Sequence, residues 1–257
     1  MVGICVLLVT LIAVLVAHDR QPTGLDNAIW NLLPYPWGPA GQHGNGRRFL
    51  TAIGQIRQLG GPLAITAMTA LLCYCCLAMR RYRAAILVAG GEIGASVLTS
   101  LLKPEVGRML GGSLSYPSGH TTAAFALATG VVLVIASSEP TRMPRSMRIA
   151  LSVLAVGTAS LVALGMVAWH EHYLTDTFGG AAVGIGVTIS VALVVDYVAD
   201  RRRRVAASGL SAAVELASEP ELASAPELAA QPEPDGKAGP GEEAEPAGEA
   251  EPARQLG

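Results

Sequence analysis

Charged and aromatic side chains are scarce in this chain. Of 257 residues, 15% are Asp, Glu, Lys or Arg and 5% are Phe, Trp or Tyr, whereas 51% are hydrophobic and the mean hydropathy is +0.43. Soluble domains carry about 25% charged residues, so the shortfall excludes an ordinary solvated surface and points to a membrane protein. Cysteine is sparse too. Cys5, Cys73, Cys75 and Cys76 all lie in apolar runs with no histidine at zinc spacing, which leaves them as small apolar residues expected to be buried.

What charge there is lies unevenly. The stretch from Val205 to Gly257 holds two of the eighteen Lys and Arg but eleven of the twenty Asp and Glu, so a formal net charge of -2 hides a basic core and an acidic tail. The tail is rich in Ala, Glu and Pro and almost free of aromatic or β-branched residues. It cannot bury enough apolar area to offset the entropy of ordering, and it is expected to be disordered, with no partner identified.

A hydrocarbon layer about 30 Å thick needs roughly 20 apolar residues per helix. Six stretches approach this: Val2 to Ala17, Gly61 to Met79, Ala84 to Leu102, Thr121 to Ser137, Ile149 to Ala168 and Phe178 to Val198. The first is short enough for a signal-peptide core but lacks a basic leader and a clear cleavage site, so an uncleaved span is expected. The fold expected is all-α, a six-span transmembrane bundle. Residues 1–60 form the first span and an outer loop, 61–204 a five-span core, and 205–257 the tail.

Arg80, Arg81 and Arg83 follow the second stretch, Arg142, Arg145 and Arg148 the fourth, and Arg201 to Arg204 the sixth. By the positive-inside rule these sites are cytoplasmic, as are both termini, although Arg20, Arg47, Arg48 and Arg57 in the long first loop oppose that assignment. Trp30, Tyr35 and Trp37 in the same loop suit a membrane interface. Every unusual polar residue near a span end then falls on the extracytoplasmic side.

Two outer segments carry groups fit for chemistry. The first, from Lys103 through Arg108, places Pro117, Ser118, Gly119 and His120 directly before an apolar helix, where backbone N–H groups and the helix N-terminus favour an anion. An ordinary capped turn is the alternative. The second, from Trp169 to Asp176, sets His172 and Asp176 four residues apart, so that the carboxylate can hold the ring tautomer and leave the other nitrogen free to attack.

PSGH at Pro117 to His120, followed about fifty residues later by HYLTD at His172 to Asp176, with Lys103 upstream, resembles the type 2 phosphatidic acid phosphatase family, over about Gly61 to Val198. The resemblance implies a cofactor-free, metal-independent phosphatase or pyrophosphatase acting on a lipid phosphate in the cell membrane, with no nucleic-acid partner. His172 is then the nucleophile, Asp176 its orienting carboxylate and His120 the acid and base, while Lys103, Ser118 and Gly119 bind phosphoryl oxygens.

Two positions depart from the family pattern. Leu110 stands seven after Lys103 and Met166 six before His172, where the family has arginines. Arg108 is the expected replacement, as a fourth phosphate-binding residue. His170 and Glu171 are expected to be interfacial groups. The prokaryotic-looking composition favours polyprenyl pyrophosphate as substrate, such as undecaprenyl pyrophosphate in a bacterial envelope, with phosphatidic acid or phosphatidylglycerol phosphate close behind. Two other readings stay open: a lipid-phosphate binder without turnover, and a metal-dependent hydrolase using His120, His170, His172 and Asp176 as ligands.

Overall fold

A computed structural model describes residues 1–19, 21–33, 35–137 and 143–218. Arg142 and the tail from residue 219 onward therefore lie outside the described residues. The chain divides into two units, Met1–Ser208 and one that opens at Gly209.

Among the described residues, nine α-helices follow in order: α1 (Val2–Asp19), α2 (Gly24–Leu32), α3 (Pro39–Gln42), α4 (Gly44–Arg57), α5 (Pro62–Ala78), α6 (Tyr82–Val106), α7 (Gly119–Ala136), α8 (Arg145–Ala168) and α9 (Leu174–Ser218). A hairpin of two short strands, β1 (Met109–Leu110) and β2 (Ser113–Leu114), separates α6 from α7. Its turn is Gly111-Gly112, both at positive φ, the backbone that a two-residue hairpin demands.

The chain is all-α with a membrane-spanning bundle, as expected, and it is a multi-pass membrane protein. Six spans are not confirmed among the described residues. Helices α6, α7, α8 and α9 are long and apolar enough to cross a membrane, and the pair α4–α5, bent by 54° at Gly61, makes a fifth if counted as one. The apolar part of α1, Val2–Ala17, is shorter. At 1.5 Å per residue it reaches about 24 Å, below the thickness of the hydrocarbon layer.

The composition predicts disorder from Val205, yet helix continues to Ser218. Ala, Leu and Glu dominate VAASGLSAAVELAS and favour helix over coil, and the first proline of the tail comes only at Pro220. Of the cysteines, Cys5 and Cys76 are buried as expected, Cys73 is half-buried, and Cys75 lies exposed. The reason is geometric, because two adjacent residues cannot share one helix face.

Within the first unit α7 packs on α6 and α8, α5 on α6, and α4 on α8. Small residues set the distance between α7 and α9. A Cβ on Gly180 would stand 2.7 Å from the Ser118 carbonyl oxygen, and one on Gly184 would stand 2.4 Å from that of Thr122 and 2.8 Å from the Ala126 nitrogen. This four-residue glycine spacing lets two backbones approach closely in a membrane. Gly184→Ala is expected to cost about 1–3 kcal/mol through overpacking against rigid backbone. Thermal unfolding in detergent checks this, since an unchanged midpoint contradicts it.

Candidate active site

The residues singled out in the sequence gather at one end of the bundle, where α6 and α8 finish and α7 and α9 begin. Arg80 and Arg81, between α5 and α6, Arg83, the second residue of α6, and Arg145 and Arg148, opening α8, sit at the other end. There Arg81 donates to the Val134 carbonyl oxygen and to Ser137 Oγ, and Arg148 to the Ala136 carbonyl oxygen.

Ser118 is the N-cap of α7, but its side chain makes no capping bond; its Oγ accepts from Thr121 Oγ1 at 3.1 Å. The ordinary capped turn is therefore not what the structure shows. The first N–H groups of a helix have no intrahelical partner, and the space beside Gly119 is open, with nothing within 4 Å of where a Cβ would stand. Donors and opening together form a recess suited to an anion. Ser118 is fixed from behind, its own N–H donating to the Asp176 carbonyl oxygen at 3.0 Å, which ties the start of α7 to the start of α9.

His120, the second residue of α7, lines a groove of about 540 Å³ together with Gly119 and Lys103. Lys103, in the last turn of α6, donates from Nζ to the Leu114 carbonyl oxygen at 3.3 Å. Further along α6 the groove is lined by Ser100, Ser96 and Glu92.

His172 precedes α9 by two residues, so the shared helix face expected from its spacing with Asp176 is not the reason they meet. Asp176 lies in the first turn of α9 and bends back: its Oδ2 accepts from the Tyr173 N–H at 3.1 Å and stands 3.5 Å from His172 Nδ1. His172 is itself buried, with its backbone N–H donating to the Met166 carbonyl oxygen.

Arg108 occupies a different place from the one expected. Its guanidinium is fully buried and committed to two carboxylates, Asp176 Oδ1 at 2.6 Å and Asp26 Oδ2 at 2.9 Å. It also donates to Thr175 Oγ1 and lies over the Tyr173 ring at 4.1 Å. A guanidinium so placed faces the back of Asp176, away from the start of α7 expected to hold phosphate.

Asp26, which is not among the residues expected from the sequence, joins this cluster through Arg108 and Thr175. It sits in α2, where Thr23 and Asp26 form a reciprocal capping box, and it also accepts from the Thr175 backbone N–H at 3.0 Å. The signal was present as Thr-x-x-Asp ahead of an amphipathic stretch. Burial disfavours its charge, but hydrogen bonds from Thr175, Arg108 and Thr23 outweigh that and hold its carboxyl below the usual range. A depressed carboxyl stabilises the fold above its ordinary value near 4, and that contribution is lost as pH falls further. The melting temperature is expected to drop more steeply below about pH 4 for the wild type than for Asp26→Asn; parallel curves contradict it.

The aromatic residues of the first loop pack on the site. Trp30 stacks on Tyr173 and meets His170 at a tilt of 43°, both at 4.7 Å between ring centroids, and Tyr35 meets His170 edge-on. Burial pushes the His170 pKa down. Glu171 pairs with Arg57 of α4. Among the described residues no three His, Cys, Asp or Glu side chains come together in a group able to hold a metal ion.

Residues 100–200, which carry every one of the sequence-predicted site residues, match the PAP2 superfamily. Over this stretch the chain is similar to PAP2 proteins. No curated protein matches it significantly. Among solved structures, the crystal structure of a transmembrane PAP2 type phosphatidylglycerolphosphate phosphatase from Bacillus subtilis shares the fold. Its TM-score is 0.57 at 17% identity, and the match covers 71% of this chain and 92% of that one. The PAP2 match begins at Ser100 in α6 and ends at Asp200 in α9. Asp26 and Arg57, which complete the surroundings of the site, lie before it.

Proposed function

We propose that this protein is an integral-membrane lipid-phosphate phosphatase that works through a phosphohistidine on His172. The observation that carries the reading is the chain of contacts behind that residue: Arg108 holds Asp176, and Asp176 faces His172 Nδ1. With a proton on Nδ1 directed to the carboxylate, Nε2 keeps its lone pair and attacks phosphorus. The P–O bond to the lipid breaks and His120 gives a proton to the leaving oxygen. His120 then takes a proton from water, which attacks the phosphohistidine and releases inorganic phosphate. Lys103, Ser118 and the Gly119 N–H bind the equatorial oxygens, over which charge spreads in the transition state.

Nothing in this scheme requires a metal ion or cofactor. The site faces the extracytoplasmic side, because the arginines at the start of α6 and of α8 lie at the opposite end. The substrate class is a polyprenyl pyrophosphate, phosphatidic acid or phosphatidylglycerol phosphate, the last being what the Bacillus subtilis relative is described as acting on. Purified protein assayed against this panel in excess chelator tests the reading. Phosphate release that survives chelation supports it. Loss on chelation with recovery on adding zinc favours a metal-dependent hydrolase, and binding without turnover favours a lipid-phosphate binder.

A further inference from the structure

Phosphoryl transfer places charge on three equatorial oxygens, and one lysine with a few backbone donors leaves part of it unmet. Arg108, the arginine nearest in sequence, is spent on two buried carboxylates. A different guanidinium stands at the site. Arg57, the last residue of α4, is part of the set whose charges act on His120, the others being His172, Glu171 and Lys103.

Packing brings Arg57 there. The backbone of α4 runs hard against α8: a Cβ on Gly165 would stand 2.9 Å from Arg57 Cβ and 3.1 Å from the Ile53 carbonyl oxygen. Three residues on, a Cβ on Gly60 would stand 3.3 Å from His120 Cβ, and one on Gly61 would stand 3.8 Å from His120 Nε2. On its other side the guanidinium lies 5.0 Å from the Trp169 ring centroid and pairs through one Nη with Glu171, the neighbour of His172. The side chain is only 15% exposed, and its Nε, like that of Arg108, is buried with no hydrogen-bond partner. Arg57 is thus packed beside Glu171, the neighbour of His172, on a segment whose next turn touches His120.

We infer that Arg57 is a phosphate-binding residue of this site, and that Glu171 is its resting counter-ion, which the phosphoryl group displaces. The inference rests on the phosphatase reading for its chemistry but not for its test, because affinity for inorganic phosphate is measurable without turnover. Removing a preorganised donor of this kind typically costs a hundredfold or more in rate. The fork geometry of Arg is not reproduced by Lys, so Arg57→Lys restores only part of the loss.

The experiment is calorimetric titration of inorganic phosphate, and of orthovanadate as a mimic of the transferring group, into wild type, Arg57→Ala, Arg57→Lys and Glu171→Gln, with melting temperatures alongside. Affinity is expected to fall at least tenfold in Arg57→Ala, to recover partly in Arg57→Lys, and to rise several-fold in Glu171→Gln, where the competing carboxylate is gone. If the Arg57–Glu171 pair only ties α4 to the loop before α9, melting temperatures fall and affinities stay unchanged, which overturns the proposal. Should Arg57→Ala fail to fold, Glu171→Gln decides alone, an unchanged affinity again overturning it. A wild type that binds phosphate through Arg57 but releases none from any lipid would sink the phosphatase reading and leave Arg57 in place.

Discussion

His172→Ala is expected to lower phosphate release on the order of a thousandfold or more while leaving the melting temperature close to that of the wild type. The size follows from its role, since a covalent route disappears with its nucleophile and only binding and electrostatic stabilisation remain. The small structural effect follows from its setting. The backbone N–H of His172 keeps its bond to Met166, and the Asp176 carboxylate keeps Arg108 and the Tyr173 N–H, so no buried charge is stranded. A histidine that served only to pack the loop before α9 would give the reverse, a lowered melting temperature with turnover retained in the folded fraction.

Arg108→Ala is expected to act in the opposite way, first on stability. Its guanidinium bridges Asp26 and Asp176, all three fully buried, and its removal leaves two carboxylates facing each other without a cation. Breaking a buried ion pair from one side costs about 3–5 kcal/mol. Because the two carboxylates then repel, Arg108→Ala combined with Asp26→Asn is expected to be less damaging than the sum of the single changes. Thermal unfolding of the four proteins checks this. Phosphate affinity separates this role from the one expected from sequence: it stays near the wild-type value in folded Arg108→Ala, whereas a tenfold loss with unchanged stability would return Arg108 to the phosphate.

The residues that were legible in the sequence owe that to local spacing. PSGH before an apolar run and HxxxD before another mark two helix starts, and the structure sets both at one end of the bundle. Apolar run length gave the helical segments, but not the number long enough to cross a membrane, because α1 falls short and α4 with α5 bend at Gly61. The partnership of Arg108 was hidden for a different reason. Distance along the chain suggested the phosphate, whereas Asp26, 82 positions away, decides where the guanidinium points.

Arg57 was hidden in the same manner. In sequence it was one of four arginines in a long outer loop, and it weighed only on the orientation of the membrane spans. Its position beside Glu171 depends on α4 packing against Gly165, a long-range contact that no local pattern encodes. Glycines that admit a neighbouring backbone, Gly165 for α4 and Gly180 and Gly184 for α7, are what bring these distant segments together. The helix starts were therefore readable, and the side chains that serve them from other elements were not.

The most direct measurement is a rapid-quench experiment with a radiolabelled lipid phosphate and excess chelator. Protein quenched during turnover is predicted to carry an acid-labile, base-stable phosphoryl group on His172, chased by water at the rate of phosphate release and absent in His172→Ala. Turnover with no label on the protein, or a label on any other residue, would contradict the account.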